Sequence, residues 1–255
     1  MADTKIKFSI VTVCLNAEKT INNTIESVRM QTYPNYEYII WDGKSIDSTL
    51  DKVYKSIDKL HTKVYSQKDS GLYNAMNQAT QKCDGEYILF LNSGDTFADE
   101  KVLQDVADFI ESDQRKADIY FGNVIRKRRE GEVLETYHGR DIVLRLLLVG
   151  RMPCHQSIFT RTAVMKEYGF DESYSITADY NFLMKCRRYH KKIQYIDRII
   201  SRFDCIQGIS SEIDNLEKMR QQDDRSMKEL YPGWYYILKP IKAVGRRIKN
   251  MKEKC

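Results

Sequence analysis

Apolar and polar positions alternate in two rhythms along the first half of this chain. Lys7 to Leu15 (KFSIVTVCL) is a run of β-branched and apolar residues, the signature of a buried strand. From Ala17 to Gln31 the apolar residues fall at Ile21, Ile25 and Val28, a spacing that predicts a helix. The pair then repeats: strand Tyr36 to Trp41, helix Ser48 to Leu60, short strand Lys63 to Ser66, helix Leu72 to Lys82, strand Glu86 to Leu91, helix Lys101 to Ser112 and strand Ile119 to Ile125. Strict alternation of this kind predicts an α/β fold with a Rossmann-like, mostly parallel central sheet flanked by helices. The second half is less regular. Its pattern predicts a hairpin through Tyr137, a helix Asp141 to Val149, a strand near Ser157 to Phe159, a helix Ala178 to Tyr189, a strand Lys192 to Phe203, and helices over 212–230 and 234–252. No internal repeat and no Gly/Ser linker interrupts the chain, so one domain with a C-terminal helical extension is expected.

In open α/β sheets ligands bind beyond the carboxyl ends of the strands. Three predicted strands end there in polar residues: Asn16 with Glu18, Asp42 with Gly43, and Asn92-Ser93-Gly94-Asp95. Acids so placed repel a bare phosphate. They suit a divalent cation shared with a phosphate, or a base and ribose that donate hydrogen bonds. Mg²⁺ and Mn²⁺ take oxygen ligands, commonly one or two carboxylates plus substrate phosphates. An Asp after a strand is also an ordinary turn or cap residue, and that reading stands beside the functional one. Neither GxxxxGK[ST] nor a GxGxxG after the first strand is present, which excludes P-loop nucleotide hydrolysis and argues against a dinucleotide-dependent dehydrogenase.

Composition narrows the class further. With 255 residues, 42% hydrophobic, 30% charged, 12 Gly and 4 Pro, the chain is neither collagen-like nor low-complexity. Its longest apolar candidate, Ile142 to Val149, is broken by Arg145 and is too short to span a bilayer. The first residues lack the pattern of a secretory leader. The 6 cysteines form no CxxC pair, and reduced thiols in a cytoplasmic protein are expected. The net charge of +5 is uneven. Tyr235 to Cys255 holds seven Lys and Arg against one acid, so the remainder of the chain sums to −1. Within that tail Ile237, Ile241, Val244, Ile248 and Met251 trace one helical stripe between basic residues. A basic amphipathic helix suits an anionic membrane surface. The plainer alternative is a helix packed on the body with a solvated basic face. Nucleic acid is not expected, because the body carries no matching basic field. A second basic run, Arg126 to Arg129, reads as a hairpin tip, since Glu130-Gly131-Glu132 follows it.

Taken jointly, the blocks SIVTVCLNAEKTINNTIESVRMQTYPNYEYIIWDGKSIDST, SQKDSGLYNAMNQA and GEYILFLNSGD resemble family 2 glycosyltransferases of the GT-A fold, in the flavour of bacterial polysaccharide enzymes of the colanic-acid cluster type. The resemblance implies a GT-A domain over residues 1–205, with a nucleotide-binding half (1–125) and an acceptor half (126–205), followed by C-terminal helices over 206–255. It implies an inverting transfer from a nucleoside diphosphate sugar, UDP-hexose foremost, to a hydroxyl of a saccharide acceptor. Val13, Asn16, Glu18 and Asp42 fall where the family holds base and ribose, Lys68 and Asp69 near the nucleotide and its diphosphate, and Asn92 counts among the nucleotide-sugar-binding positions. Asp95 stands at the metal motif for Mg²⁺ or Mn²⁺, where Asn92 and Gly94 replace the usual acids. His155 and Gln156 match a block lining the sugar or acceptor site. Asp179 matches the catalytic base, with Ala178 in place of the usual Glu. The basic tail fits a polyprenyl-linked acceptor and a peripheral position on the inner membrane face. Two alternatives stay open on sequence: a non-catalytic binding or scaffold protein with a degenerate metal site, and a sugar nucleotidyltransferase.

Overall fold

The computed structural model describes residues 5–57, 61–128, 131–137, 152–204 and 215–240. The predicted helix Asp141 to Val149 and the tail beyond 240 lie outside them. The first strands form as their patterns demand: β1 (Phe8–Cys14), β2 (Tyr36–Asp42), β3 (Thr62–Ser66) and β4 (Tyr87–Phe90). They pair in parallel in the order β3-β2-β1-β4. The intervening helices are α1 (Ile21–Arg29), α2 (Thr49–Ser56) and α3 (Leu72–Thr80). Helix α2 stops short of the expected Leu60, because Ile57 is already extended at ψ 147°.

Beyond β4 come β5 (Thr96–Phe97), α4 (Val102–Ser112), β6 (Ile119–Arg128), β7 (Gly131–Glu135), β8 (Ile158–Arg161), α5 (Thr162–Tyr168), α6 (Ala178–Arg188), β9 (Ile193–Asp204) and α7 (Asn215–Leu230). The sheet continues β4-β8-β6-β9-β5, with β7 alongside β6. The expected α/β sheet is present, and in this half it becomes mixed, with β6 and β9 parallel beside antiparallel neighbours. β8 starts at the rim where β4 ends and runs back between β4 and β6, antiparallel to both. The β6–β7 hairpin is antiparallel, as the basic run followed by Glu130-Gly131-Glu132 suggested, and Arg126 pairs with Glu135 across it. The two-residue β5 and the short α5 were not anticipated.

Alternation along β1 sorts the core into two layers. Phe8, Ile10 and Cys14 join α1, α2 and α4 on one face, while Val11 and Val13 join α3, α5 and α6 on the other. Met227 of α7 and Leu238 of the following helical stretch, 232–240, are buried in that second layer.

At the amino-terminal rim Glu37 fastens strands to loops. Its Oε1 accepts hydrogen bonds from Ser9 Oγ (2.6 Å) and from the amides of Asp84 (2.6 Å) and Gly85 (3.1 Å), and Lys63 Nζ reaches Oε2 at 2.9 Å. Burial pushes the Glu37 carboxyl up, but these donors and the Lys63 charge outweigh it and hold it below the usual range. A depressed carboxylate contributes stability above its unfolded value, ~4.3, and loses it as pH falls through the folded value. Glu37→Ala takes the acceptor from the buried Ser9 hydroxyl and the part-buried Asp84 amide, while the Gly85 amide keeps Ser9 Oγ at 2.9 Å, and is expected to destabilise the fold by about 1–3 kcal/mol at pH 7. In urea unfolding the deficit should shrink below pH 4, as the wild-type carboxylate takes up its proton.

Candidate active site

Strand register brings the predicted residues to one rim. Cys14 is level with Asp42, and Asp42 with Ser66. Val11 is level with Phe90, so Asn92 emerges beside Val13. Antiparallel β8 returns the segment His155–Ser157, a single 3₁₀ turn, to the same edge. The first turn of α6 presents Asp179 there too.

On one side of the rim the acids converge. Asp42 is fully buried and accepts hydrogen bonds from Ser66 Oγ (2.7 Å) and the Ser45 amide (3.2 Å). Asp69 Oδ1 accepts from the Gly71 amide at 3.0 Å, and Oδ2 lies so close to Gly43 that a Cβ there would sit 2.6 Å away. Gly43 is therefore the residue that lets Asp69 lean onto the end of β2. Burial, and then the charges of Asp42, Asp47 and Asp69, push the Cys14 thiol up to about 12. Cys14 is thus an inert thiol at neutral pH, held so first by burial and then by the neighbouring carboxylates. Asn16 adopts φ +50°, which Asn tolerates, and its Oδ1 accepts from the Ile46 amide at 3.0 Å. Glu18 Oε2 accepts from the Ser48 amide at 3.3 Å. These bonds clasp the loop after β1 to the loop after β2. Val13 is buried in the core beneath, and Lys68 is exposed on the segment from β3 to α3.

On the other side Asn92, His155 and Asp179 form a relay. Asn92 Nδ2 lies 3.0 Å from His155 Nε2, and His155 Nδ1 lies 3.4 Å from Asp179 Oδ2. The Asn92 contact takes its direction from the ring tautomer, and the Asp179 contact is a close approach of imidazole to carboxylate. Asp179 Oδ1 accepts from the Tyr180 amide (2.8 Å) and lies 3.3 Å from Tyr73 OH, which donates to the Ile176 carbonyl at 2.5 Å. Burial and the Asp179 charge push the Tyr73 phenol well up, so it stays a donor. The side chains of His155 and Asp179 are 21% and 18% exposed, open enough for a substrate to reach.

Next to this relay Asp95 is 4% exposed, and its Oδ2 accepts from Gln156 Nε2 at 2.9 Å. Consecutive residues, His155 and Gln156, therefore tie Asp179 and Asp95 to one turn. Among the described residues no group of three His, Cys, Asp or Glu side chains forms a self-sufficient metal centre. The donors that are present fit a cation of another kind. Asp95 supplies a hard carboxylate, and Asn92 Oδ1 is a buried oxygen without a hydrogen-bond partner among the described residues. Such a set suits Mg²⁺ or Mn²⁺ shared with a diphosphate. Gly94 has φ +102°, a conformation in which an acidic side chain would be strained.

Tyr73 was missed from sequence, since an aromatic on an amphipathic helix reads as core packing. Only the fold shows that its hydroxyl meets the carbonyl preceding α6.

Residues 9–168 match the family model described as Glycosyl transferase family 2. A PGL/p-HBAD biosynthesis glycosyltransferase of Mycobacterium bovis is 27% identical over 218 residues, covering 84% of this chain and 83% of that protein. The crystal structure of S. aureus TarS 1-349 in complex with UDP-GlcNAc is similar with a TM-score of 0.70 and 23% identity, over 89% of this chain and 68% of that one. The mannosyltransferase PcManGT from Pyrobaculum calidifontis, in complex with GDP-Man and Mn²⁺, is similar with a TM-score of 0.67 and 14% identity, over 93% of this chain and 69% of that one. These structures share the GT-A-like mixed sheet.

Proposed function

The chain belongs to glycosyl transferase family 2, and from that premise we propose that it transfers a sugar from a nucleoside diphosphate sugar, a UDP-hexose foremost, to a hydroxyl of a saccharide acceptor. The proposed setting is bacterial surface polysaccharide synthesis. Membership makes the chain a glycosyltransferase, so the non-catalytic and nucleotidyltransferase readings give way. The observation that carries the finer reading is the single turn that ties Asp179 through His155 and Asp95 through Gln156. In this reading Asp179 is the base and Asp95 the cation-binding acid, held near each other by consecutive residues of one turn.

An alcohol is a weak nucleophile near neutral pH, so a placed base must take its proton as the C–O bond forms. Asp179 has that role, oriented by His155 and Tyr73, and attack opposite the leaving diphosphate inverts the anomeric carbon. Asn16 and Glu18 hold the base and ribose over a floor stiffened by buried Asp42 and Val13, while Lys68, Asp69 and Asn92 lie toward the diphosphate and Gln156 aims the Asp95 carboxylate. A divalent cation at Asp95 and Asn92 would supply charge neutralisation for the departing diphosphate. The UDP-GlcNAc bound by TarS and the GDP-Man with Mn²⁺ bound by PcManGT support a nucleotide-sugar donor and a cation.

A thermal-shift series with UDP, GDP, dTDP and CMP, with and without Mn²⁺, tests this. Saturation at ~100 times the dissociation constant adds about 2.7 kcal/mol. A rise with UDP that grows with Mn²⁺ is expected, and no rise with any nucleotide sinks the proposal.

The acceptor side of the proposal is a polyprenyl-linked saccharide on an anionic membrane. No helix among the described residues is long and apolar enough to cross a membrane. Trp234, Tyr236 and Ile237 are exposed on the stretch leading into the basic tail, while Leu238 is buried against the body. Truncation after Pro240 spares Leu238 and removes Lys242, Arg246, Arg247, Lys249, Lys252 and Lys254. At about 1 kcal/mol per basic residue near an anionic surface, that loss should abolish co-sedimentation with phosphatidylglycerol vesicles and leave donor hydrolysis within about twofold. Retained co-sedimentation would refute the tail's role.

A further inference from the structure

The segment that carries Asp179 is held from outside the family-matched region, which ends at residue 168. Helix α7 lies against α6, and one of its side chains grips the chain just ahead of the base. Gln222 Oε1 accepts hydrogen bonds from the amides of Ile176 and Thr177, each at 3.1 Å, and lies 3.4 Å from Thr177 Oγ1. Gln222 Nε2 donates to Ser175 Oγ at 2.9 Å, which fixes the direction of the amide. Thr177 is the residue that caps α6, and its own side chain makes no capping bond there. The peptide groups gripped by Gln222 are the ones that set where α6 begins. The Ile176 carbonyl, on the same residue, takes the Tyr73 hydroxyl that also approaches Asp179. Further along, Asn181 Nδ2 donates to Ser226 Oγ (3.1 Å) and Tyr174 OH to Glu229 Oε2 (2.9 Å). Three turns of α7 thus hold residues 174–181 on both sides of the base.

We propose that Gln222 is a positioning residue for the reaction, setting the start of α6 so that Asp179 meets the acceptor hydroxyl, and that α7 thereby belongs to the catalytic apparatus. The proposal rests on Asp179 being the base. Gln222 is half-buried and touches no position assigned to the donor, so its loss should appear in kcat and leave donor binding alone. An ångström of misplacement at a reacting group costs up to about a hundredfold in rate.

The test measures nucleotide release from the donor selected by the thermal-shift series, in the full chain with Mn²⁺. Gln222→Leu keeps bulk and removes the acceptor; kcat is expected to fall about tenfold to a hundredfold, with donor KM and the nucleotide-induced thermal shift unchanged. Gln222→Glu keeps an acceptor oxygen for the two amides and should recover most of kcat. Should Gln222→Leu not fold, Gln222→Asn carries the same test, because it stays polar and draws the amide back by one methylene. A kcat within twofold of wild type in the folded variant overturns the proposal. So does a fall in kcat that Gln222→Glu does not recover, or one that donor KM shares. Asp179→Asn run alongside separates the two readings: full turnover there overturns the base assignment itself, whereas lost turnover there with unchanged Gln222 variants overturns only the role of α7.

Discussion

Asp179→Asn is expected to lower turnover by roughly 10²–10⁴-fold, the range a general base contributes, while the nucleotide-induced thermal shift stays at its wild-type size. The substitution preserves volume and removes only the ability to take a proton. Its oxygen can still accept from the Tyr180 amide, as Asp179 Oδ1 does at 2.8 Å. The new amide hydrogens would face His155 Nδ1, which the relay can absorb. The His155 Nδ1 contact is long, 3.4 Å, so Asn at 179 disturbs it little, and Asn92 keeps the orientation that leaves its Oδ1 for the cation. The fold should therefore lose less than about 1 kcal/mol, and the loss of rate can be read as chemistry. Single-turnover release of nucleotide from the donor, beside the thermal shift, checks both halves. A variant that keeps wild-type turnover would remove Asp179 from the mechanism, and one that loses nucleotide binding as well would mark it as a binding residue.

The residues behind that prediction were legible in unequal degree. Strands β1, β2 and β4 announce themselves as β-branched runs, and parallel pairing forces their polar ends onto one rim, so Asn16, Asp42, Asn92 and Asp95 could be gathered without coordinates. Elements that depend on distant partners could not. β5 is two residues long and exists because Thr96 and Phe97 meet Arg202 and Ser201 of β9. Helix α5 is seven residues with little room for a period to show. The direction of β8 was hidden for a similar reason, since a short apolar run does not say which way it runs between two neighbours. In the site, His155 and Asp179 are 24 positions apart in sequence, and nothing in their spacing says that one imidazole nitrogen faces the carboxylate and the other an amide on β4's end. Gln222 sits in the polar run Gln221-Gln222-Asp223-Asp224, which reads as a solvated helix face. Its meaning comes from the loop it touches.

Asp95→Asn should separate cation from nucleotide. The carboxylate is 4% exposed and directed by Gln156, whose own amide is oriented because its Oε1 accepts from Cys154 Sγ at 2.6 Å. With Gln156 Nε2 fixed as a donor, an Asn at 95 turns its oxygen toward it and keeps the bond, so the fold is largely undisturbed. The formal charge is what disappears. Asn92, Ser93 and Gly94 carry no acid, so no neighbouring carboxylate in this block can take over, and the diphosphate would have to bring its cation to neutral oxygens alone. Removing one preorganised electrostatic contact to a developing charge commonly costs 10²–10³-fold in rate, and a loss of about that size is expected in donor turnover. The increment that Mn²⁺ adds to the UDP-induced thermal shift should vanish, while the shift produced by UDP alone persists, because Asp42, Asp69 and the clasped loops around Cys14 are untouched. An unchanged Mn²⁺ increment would place the cation away from Asp95. A lost response to UDP alone would mean instead that this carboxylate holds the nucleotide directly.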